Sequence, residues 1–228
     1  MTLFRDRVHA GRELARELLD RRASAEFRDP VVLALPRGGA TVALEVARAL
    51  DAPLDVLVAR KIGAPFHEEF GIGALCGDDP PVFDEWTLAR LGLTEQSLAA
   101  DVARERAELR RREELYRHGR PALDLRGRTV IVVDDGLATG VTARAALRWI
   151  RGRAPERVLL AVPVGSPEGL ALVGREADEV ICPHRPADFM AVGLWYEDFA
   201  QLTDADVLGA LRTGAEGSTP GAGGRSGP

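Results

Sequence analysis

The sequence predicts an α/β fold, a parallel sheet covered by helices on both faces. Three observations point there. Short continuous apolar runs, VVLAL (31–35), TVIVV (129–133) and RVLLAVPV (157–164), have the length and β-branched content of strands buried on both faces. Segments with helical periodicity separate the runs, as βαβ units require. Small-residue turns, PRGG and DDGLATG, follow two of the runs directly, and in such sheets ligands bind at the carboxyl ends of strands.

Residues 6–22 read as an amphipathic helix with Val8, Leu14, Leu18 and Leu19 on one side. After the strand at 31–35, residues 40–50 read as helix and 54–59 as a second strand. The polar, glycine-containing stretch RKIGAPFHEEFGIGA reads as a loop carrying His67, Glu68 and Glu69, with His67 read as a solvated loop residue in preference to a general base or metal ligand, and 72–76 with 81–83 as a small hairpin around GDDPP. Residues 94–118 form a long charged helix; acids interleave with its arginines, which marks a solvated helix with one packed stripe. Beyond 129–133 come a helix at 141–150, the strand at 157–164, a helix at 167–174, a strand at 179–183, an apolar segment at 191–195 and a helix at 204–211. From Thr213 the composition TGAEGSTPGAGGRSGP cannot support a core, so residues 213–228 read as a disordered tail behind a single domain, 1–212.

Composition bounds the function. A net charge of −5 gives no electrostatic case for nucleic-acid or membrane binding. No apolar run nears the roughly 20 residues that span a bilayer, and the N-terminus lacks a secretory apolar stretch. Cys76 and Cys182 stand far apart without metal-ligand spacing and read as buried thiols in a reducing compartment. These features predict a cytoplasmic protein. Of 30 basic residues, 29 are Arg and one is Lys, Lys61. A compact ammonium surviving in an Arg-biased chain marks a position where the two are not interchangeable.

The sharpest signal is VIVVDDGLATGVT, 130–142. Four apolar residues bury a strand, and Asp134 and Asp135 stand at its carboxyl end. The small-residue loop Gly136, Leu137, Ala138, Thr139 and Gly140 then opens into a helix at Val141 and Thr142. Converging backbone N–H groups and the helix dipole form an anion site, the dipole worth about 0.3–1 kcal/mol. Carboxylates would repel that anion, but they suit sugar hydroxyls or a cation. A sugar phosphate satisfies both halves. No GxxxxGK[ST] is present, which excludes a Walker A loop. A receiver domain would need a Lys after the paired acids, and the single Lys precedes them.

This segment resembles the signature by which type I phosphoribosyltransferases bind 5-phosphoribosyl 1-diphosphate (PRPP). The resemblance extends over ordered elements from about residue 30 to 200. It implies a core of about five parallel strands, with a small variable hood drawn from parts of 1–25 and 183–212 and the long helix at 94–118 as an insertion. It implies transfer of the 5-phosphoribosyl group from PRPP to a nitrogenous base, with Mg²⁺ and release of pyrophosphate. Catalytic residues by resemblance are Asp134, Asp135, Lys61 and Arg37, and pyrophosphate would be held by Arg37, Gly38, Gly39, Arg60 and Lys61, the last two on a mobile loop. The metal would fall to Asp134, Asp135 and Glu197, and the base to Phe189 or Trp195 of HRPADFMAVGLWYEDF. Enzymes for 6-oxopurines have an acid where this chain has Ala138, which counts against hypoxanthine and guanine. The resemblance leaves room for a homodimer, and for a non-catalytic PRPP sensor as the rival reading.

Overall fold

Five of the apolar runs pair as one parallel sheet. The computed structural model describes residues 2–24, 27–65 and 67–217. The strands are β1 (Val31–Ala34), β2 (Leu54–Val56), β6 (Thr129–Val133), β7 (Arg157–Ala161) and β8 (Glu179–Ile181), in the order β2-β1-β6-β7-β8. The switch of direction falls between β1 and β6, whose registers run from Val31↔Val130 to Ala34↔Val133. Alternate residues of each strand enter different cores. Ile131 and Val133 pack with Val42 and Val46 of α2 (Gly39–Leu50) and with Leu14 and Leu18 of α1 (Arg7–Ser24). Val130 and Val132 pack with Leu147 and Ile150 of α5 (Val141–Arg151). All ten of these side chains are fully buried, each worth about 1.5–3 kcal/mol. The expected α/β class and five-stranded parallel sheet are therefore present.

The region between β2 and the long helix differs from expectation. The run 54–59 is not one strand: β2 ends at Val56, and β3 (Ala59–Ala64) leaves the core sheet to pair antiparallel with β4 (His67–Cys76). The stretch read as a loop is therefore a hairpin arm, and Arg60 and Lys61 lie on a strand. The side chains of residues 66–70, His67 among them, lie outside the described residues. Glycines concealed this strand pair. A Cβ at Gly73 would lie 2.5 Å from the Phe83 ring and one at Gly71 would lie 2.9 Å from Cδ of Lys61, so both positions are bare to let neighbours cross. The hairpin expected around GDDPP is present, with Gly73↔Phe83 and Ala74↔Val82 joining β4 to β5 (Val82–Phe83).

A short helix not foreseen, α3 (Glu85–Leu91), follows β5; Asp84 caps it by accepting from Thr87 N, and Gly92 ends it at φ +65°. The long helix is α4 (Ala99–Arg117), preceded by a single 3₁₀ turn, Gln96–Leu98. Its packed stripe is narrow, Leu109 and Tyr116, and it lies on β3 and β4. Helix α6 (Pro167–Val173) follows β7. The segment 191–195 is a 3₁₀ turn, Val192–Trp195. Helix α7 runs Asp204–Gly217, so residues 213–217, read as tail, continue the helix; 218–228 lie outside the described residues. The chain start closes on the 3₁₀ turn: Leu3 N and Phe4 N both donate to Trp195 O at 2.9 Å, and Glu197 N donates to Phe4 O at 2.8 Å.

Among the described residues no helix is long and apolar enough to cross a membrane. Cys76 and Cys182 are buried and unbridged, and burial pushes both thiols up, Cys182 to about 11.

Candidate active site

Two loops meet at the carboxyl ends of adjacent strands. After β1 the chain turns through Pro36, Arg37 and Gly38 into α2, with a cis peptide between Pro36 and Arg37. After β6 it passes Asp134 and Asp135 into the loop 136–140, and α5 begins at Val141. The loops touch at Gly38: a Cβ there would lie 2.1 Å from Asp135 Oδ2 and 2.5 Å from its Cγ. A Cβ on Gly39 would meet Val133 O at 2.5 Å. The PRGG glycines thus remove two side chains that would fill the space beside the carboxylates.

The loop 136–142 is shaped from both sides. Leu137 is buried against the sheet, its N donating to Val164 O while its O accepts from Ser166 N. Ser166 Oγ donates to Ala138 O. Gly140, at φ +75°, caps α5 without any side-chain bond to the helix amides. The first N–H groups of α5 therefore have no side-chain cap from Gly140 and follow the exposed turn Ala138–Thr139, a helix start of the kind that can take an anion.

Asp134 and Asp135 are the electrostatic centre. Burial, and then the neighbouring Asp135, hold the Asp134 carboxyl well above its ordinary range. Burial also raises Asp135, opposed by Arg7. Arg7 was not foreseen. Its Nε donates to Asp135 Oδ2 at 2.8 Å, its Nη1 to Ala200 O at 2.9 Å, and its guanidinium lies 3.9 Å from the Phe199 ring centroid. A signal existed: Arg7 stands seven and eleven residues before Leu14 and Leu18, on the same helical stripe, and a charge on an apolar stripe needs a buried partner. Tyr196, also unforeseen, donates its hydroxyl to Asp135 O at 2.6 Å.

The remaining candidates divide. Arg37 lies at this edge, Nη1 3.8 Å from Oδ1 of Asp204. Arg60 turns toward α4, giving Glu105 Oε2 two donors at 2.9 and 2.6 Å. Lys61 lines a cleft of about 270 Å³ with Arg60, Asp101, Arg104 and Glu105. Phe189 and Trp195 stack on each other, centroids 6.3 Å apart and planes at 24°, in a cluster with Phe4 and Tyr196. Val192 of that cluster covers the loop 136–142, where a Cβ on Gly136 would lie 2.5 Å from it. Glu197 is exposed, and among the described residues no group of three or more His, Cys, Asp or Glu side chains is placed to hold a metal ion.

A parallel α/β sheet with a small-residue turn and paired acids at its switch point is a doubly covered fold with its candidate site at the edge where such sheets take ligands. The chain belongs to the phosphoribosyl transferase domain family, whose model matches residues 5–194. It is 44% identical over 211 residues, 92% of its length, to a protein of Mycobacterium tuberculosis H37Rv whose name assigns it provisionally to the phosphoribosyl transferases. The chain spans about half, 47%, of that relative. The crystal structure of TT1426 from Thermus thermophilus superposes with a TM-score of 0.77 at 44% identity, covering 92% of this chain and 98% of that one.

Proposed function

We propose that this protein transfers the 5-phosphoribosyl group of PRPP to a nitrogenous base, in the cytoplasm, with release of pyrophosphate. The observation that carries the reading is the contact of Gly38 with Asp135, which sets the PRGG loop directly beside the acids and the phosphate loop. That spacing supports one ligand with an anion at each end and hydroxyls between them. The loop 136–142 would take the 5′-phosphate, Asp134 and Asp135 the ribose hydroxyls, and Arg37, Gly38 and Gly39 the pyrophosphate.

The donor set fits Mg²⁺. Two adjacent carboxylates with no third protein ligand among the described residues suit a cation that keeps waters and takes the rest of its shell from substrate phosphates. Held by Asp134 and Asp135, Mg²⁺ would supply positive charge to offset that of the leaving pyrophosphate. The bond from ribose C1 to the pyrophosphate oxygen breaks and a bond from C1 to the base nitrogen forms, through a transition state of oxocarbenium character as in other glycosyl transfers. Arg37 stabilises the charge growing on pyrophosphate. Arg60 could join it only by leaving Glu105, and Lys61 stands next to Arg60 on β3. The cluster of Phe189, Val192 and Trp195, which meets the loop through Val192 at Gly136, would offer apolar surface to a flat base.

The test is Mg²⁺-dependent pyrophosphate release from PRPP with a panel of purine and pyrimidine bases, products read by mass spectrometry. One new nucleoside monophosphate supports the transferase and names its base. PRPP binding by calorimetry without turnover on any base would favour the sensor, and no PRPP binding would reject both.

A further inference from the structure

The long helix α4 has no part in the reaction as written, yet one of its side chains reaches the pyrophosphate arginine through a relay. Arg37 Nη1 lies 3.8 Å from Asp204 Oδ1, at the first residue of α7. That same oxygen accepts a 2.6 Å hydrogen bond from the Tyr116 hydroxyl. The other Asp204 oxygen faces Arg111 Nη2 at 3.5 Å. Tyr116 is fully buried and cannot follow the carboxylate if it moves. At 3.8 Å a guanidinium and a carboxylate attract without sharing a hydrogen bond, whereas an unrestrained pair closes to about 2.7–2.9 Å. The Arg37 side chain keeps 29% of its surface exposed in this arrangement.

We propose that Tyr116 and Asp204 are positioning residues for Arg37: Tyr116 pins the Asp204 carboxylate at a distance that orients the guanidinium without capturing it, leaving Arg37 free to meet pyrophosphate. This rests on the assignment of Arg37 to pyrophosphate above. The two variants then act in opposite directions, which a merely structural role would not produce. In Tyr116→Phe the released carboxylate swings onto Arg37 and competes with the ligand. In Asp204→Asn the competing charge is gone. The double variant behaves like Asp204→Asn, because the hydroxyl acts only through the carboxylate.

The measurement is calorimetric titration of the full chain with pyrophosphate in excess Mg²⁺, with Arg37→Ala as reference. Tyr116→Phe is expected to weaken binding about fivefold and Asp204→Asn to tighten it by a similar factor, the scale of one half-exposed charge pair. Changes in the same direction, or none in either variant while Arg37→Ala loses binding, overturn the proposal. Should Tyr116→Phe fail to fold, Asp204→Asn decides alone: tighter binding supports the device and unchanged or weaker binding rejects it. If Arg37→Ala itself binds pyrophosphate normally, the assignment of Arg37 fails first and the positioning role goes with it.

Discussion

Arg7 Nε stands 2.8 Å from Asp135 Oδ2, and the two side chains are only 9% and 12% exposed. The first turn of α1 is thereby joined to the acid at the end of β6, 128 residues away. A pair this buried is costly to break from one side, because the remaining charge has neither water nor partner. Arg7→Met should therefore lower unfolding free energy by about 3–5 kcal/mol in urea titrations. Arg7→Lys keeps the charge but loses the second bond to Ala200 O, so its loss should be clearly smaller. A change for Arg7→Met within surface-mutation scatter, about 0.5 kcal/mol, would show the pair to be loosely formed.

The aspartate pair also sets a pH dependence. Both folded-state carboxyls titrate above their ordinary range, chiefly through burial. In the unfolded chain they ionise near pH 4. Between that value and the raised folded ones, the native state holds more protons than the unfolded state, so stability falls as pH rises. Denaturation of the ligand-free protein between pH 5 and 8 should show this decline, and Asp134→Asn should flatten it. The same variant should be more stable than the parent at pH 8 and bind PRPP far more weakly. A stability rising with pH in that window, or a slope unaltered by Asp134→Asn, would contradict the assignment.

Gly38 leaves room for Asp135. A methyl group at 2.1 Å from Oδ2 cannot be accommodated unless the carboxylate moves, and Arg7 holds that carboxylate. Gly38→Ala should cost about 1–3 kcal/mol of stability through overpacking. It should also weaken PRPP binding at least tenfold, read by calorimetry. Normal affinity would mean that the acid is not held in place for the ligand.

Much of this site was legible in the sequence because backbone-shaped features leave residue-type marks. An apolar run ending in two acids and a small-residue turn can do few things, and the structure sets that turn where the run predicts. The strand pair β3–β4 was not legible. Gly71 and Gly73 serve there by lacking side chains, and a strand whose residues are absent from the pattern reads as a loop. Arg7, Tyr116 and Tyr196 were missed for a different reason. Their partners Asp135, Asp204 and the Asp135 carbonyl are distant in sequence, and no local period encodes a contact made across the fold. Arg7 alone left a trace, as a charge on an apolar stripe.

Gly169 of α6 supports the loop 136–142 from outside the signature. A Cβ there would lie 2.2 Å from Ala138 O, the carbonyl that also accepts from Ser166 Oγ. The helix is thus pressed against the loop with only a hydrogen atom between. Gly169→Ala would push the Ala138 peptide outward and tilt the neighbouring amides away from a bound phosphate. A misplacement on the order of 1 Å at a binding loop can cost up to about a hundredfold, so PRPP affinity should fall by at least about tenfold. The contrast is Gly209 in α7, where a Cβ meets nothing within 4 Å. Gly209→Ala should leave PRPP affinity unchanged and add about 1 kcal/mol of stability, the usual gain in helix propensity. Equal affinities in the two variants would show that α6 does not shape the loop.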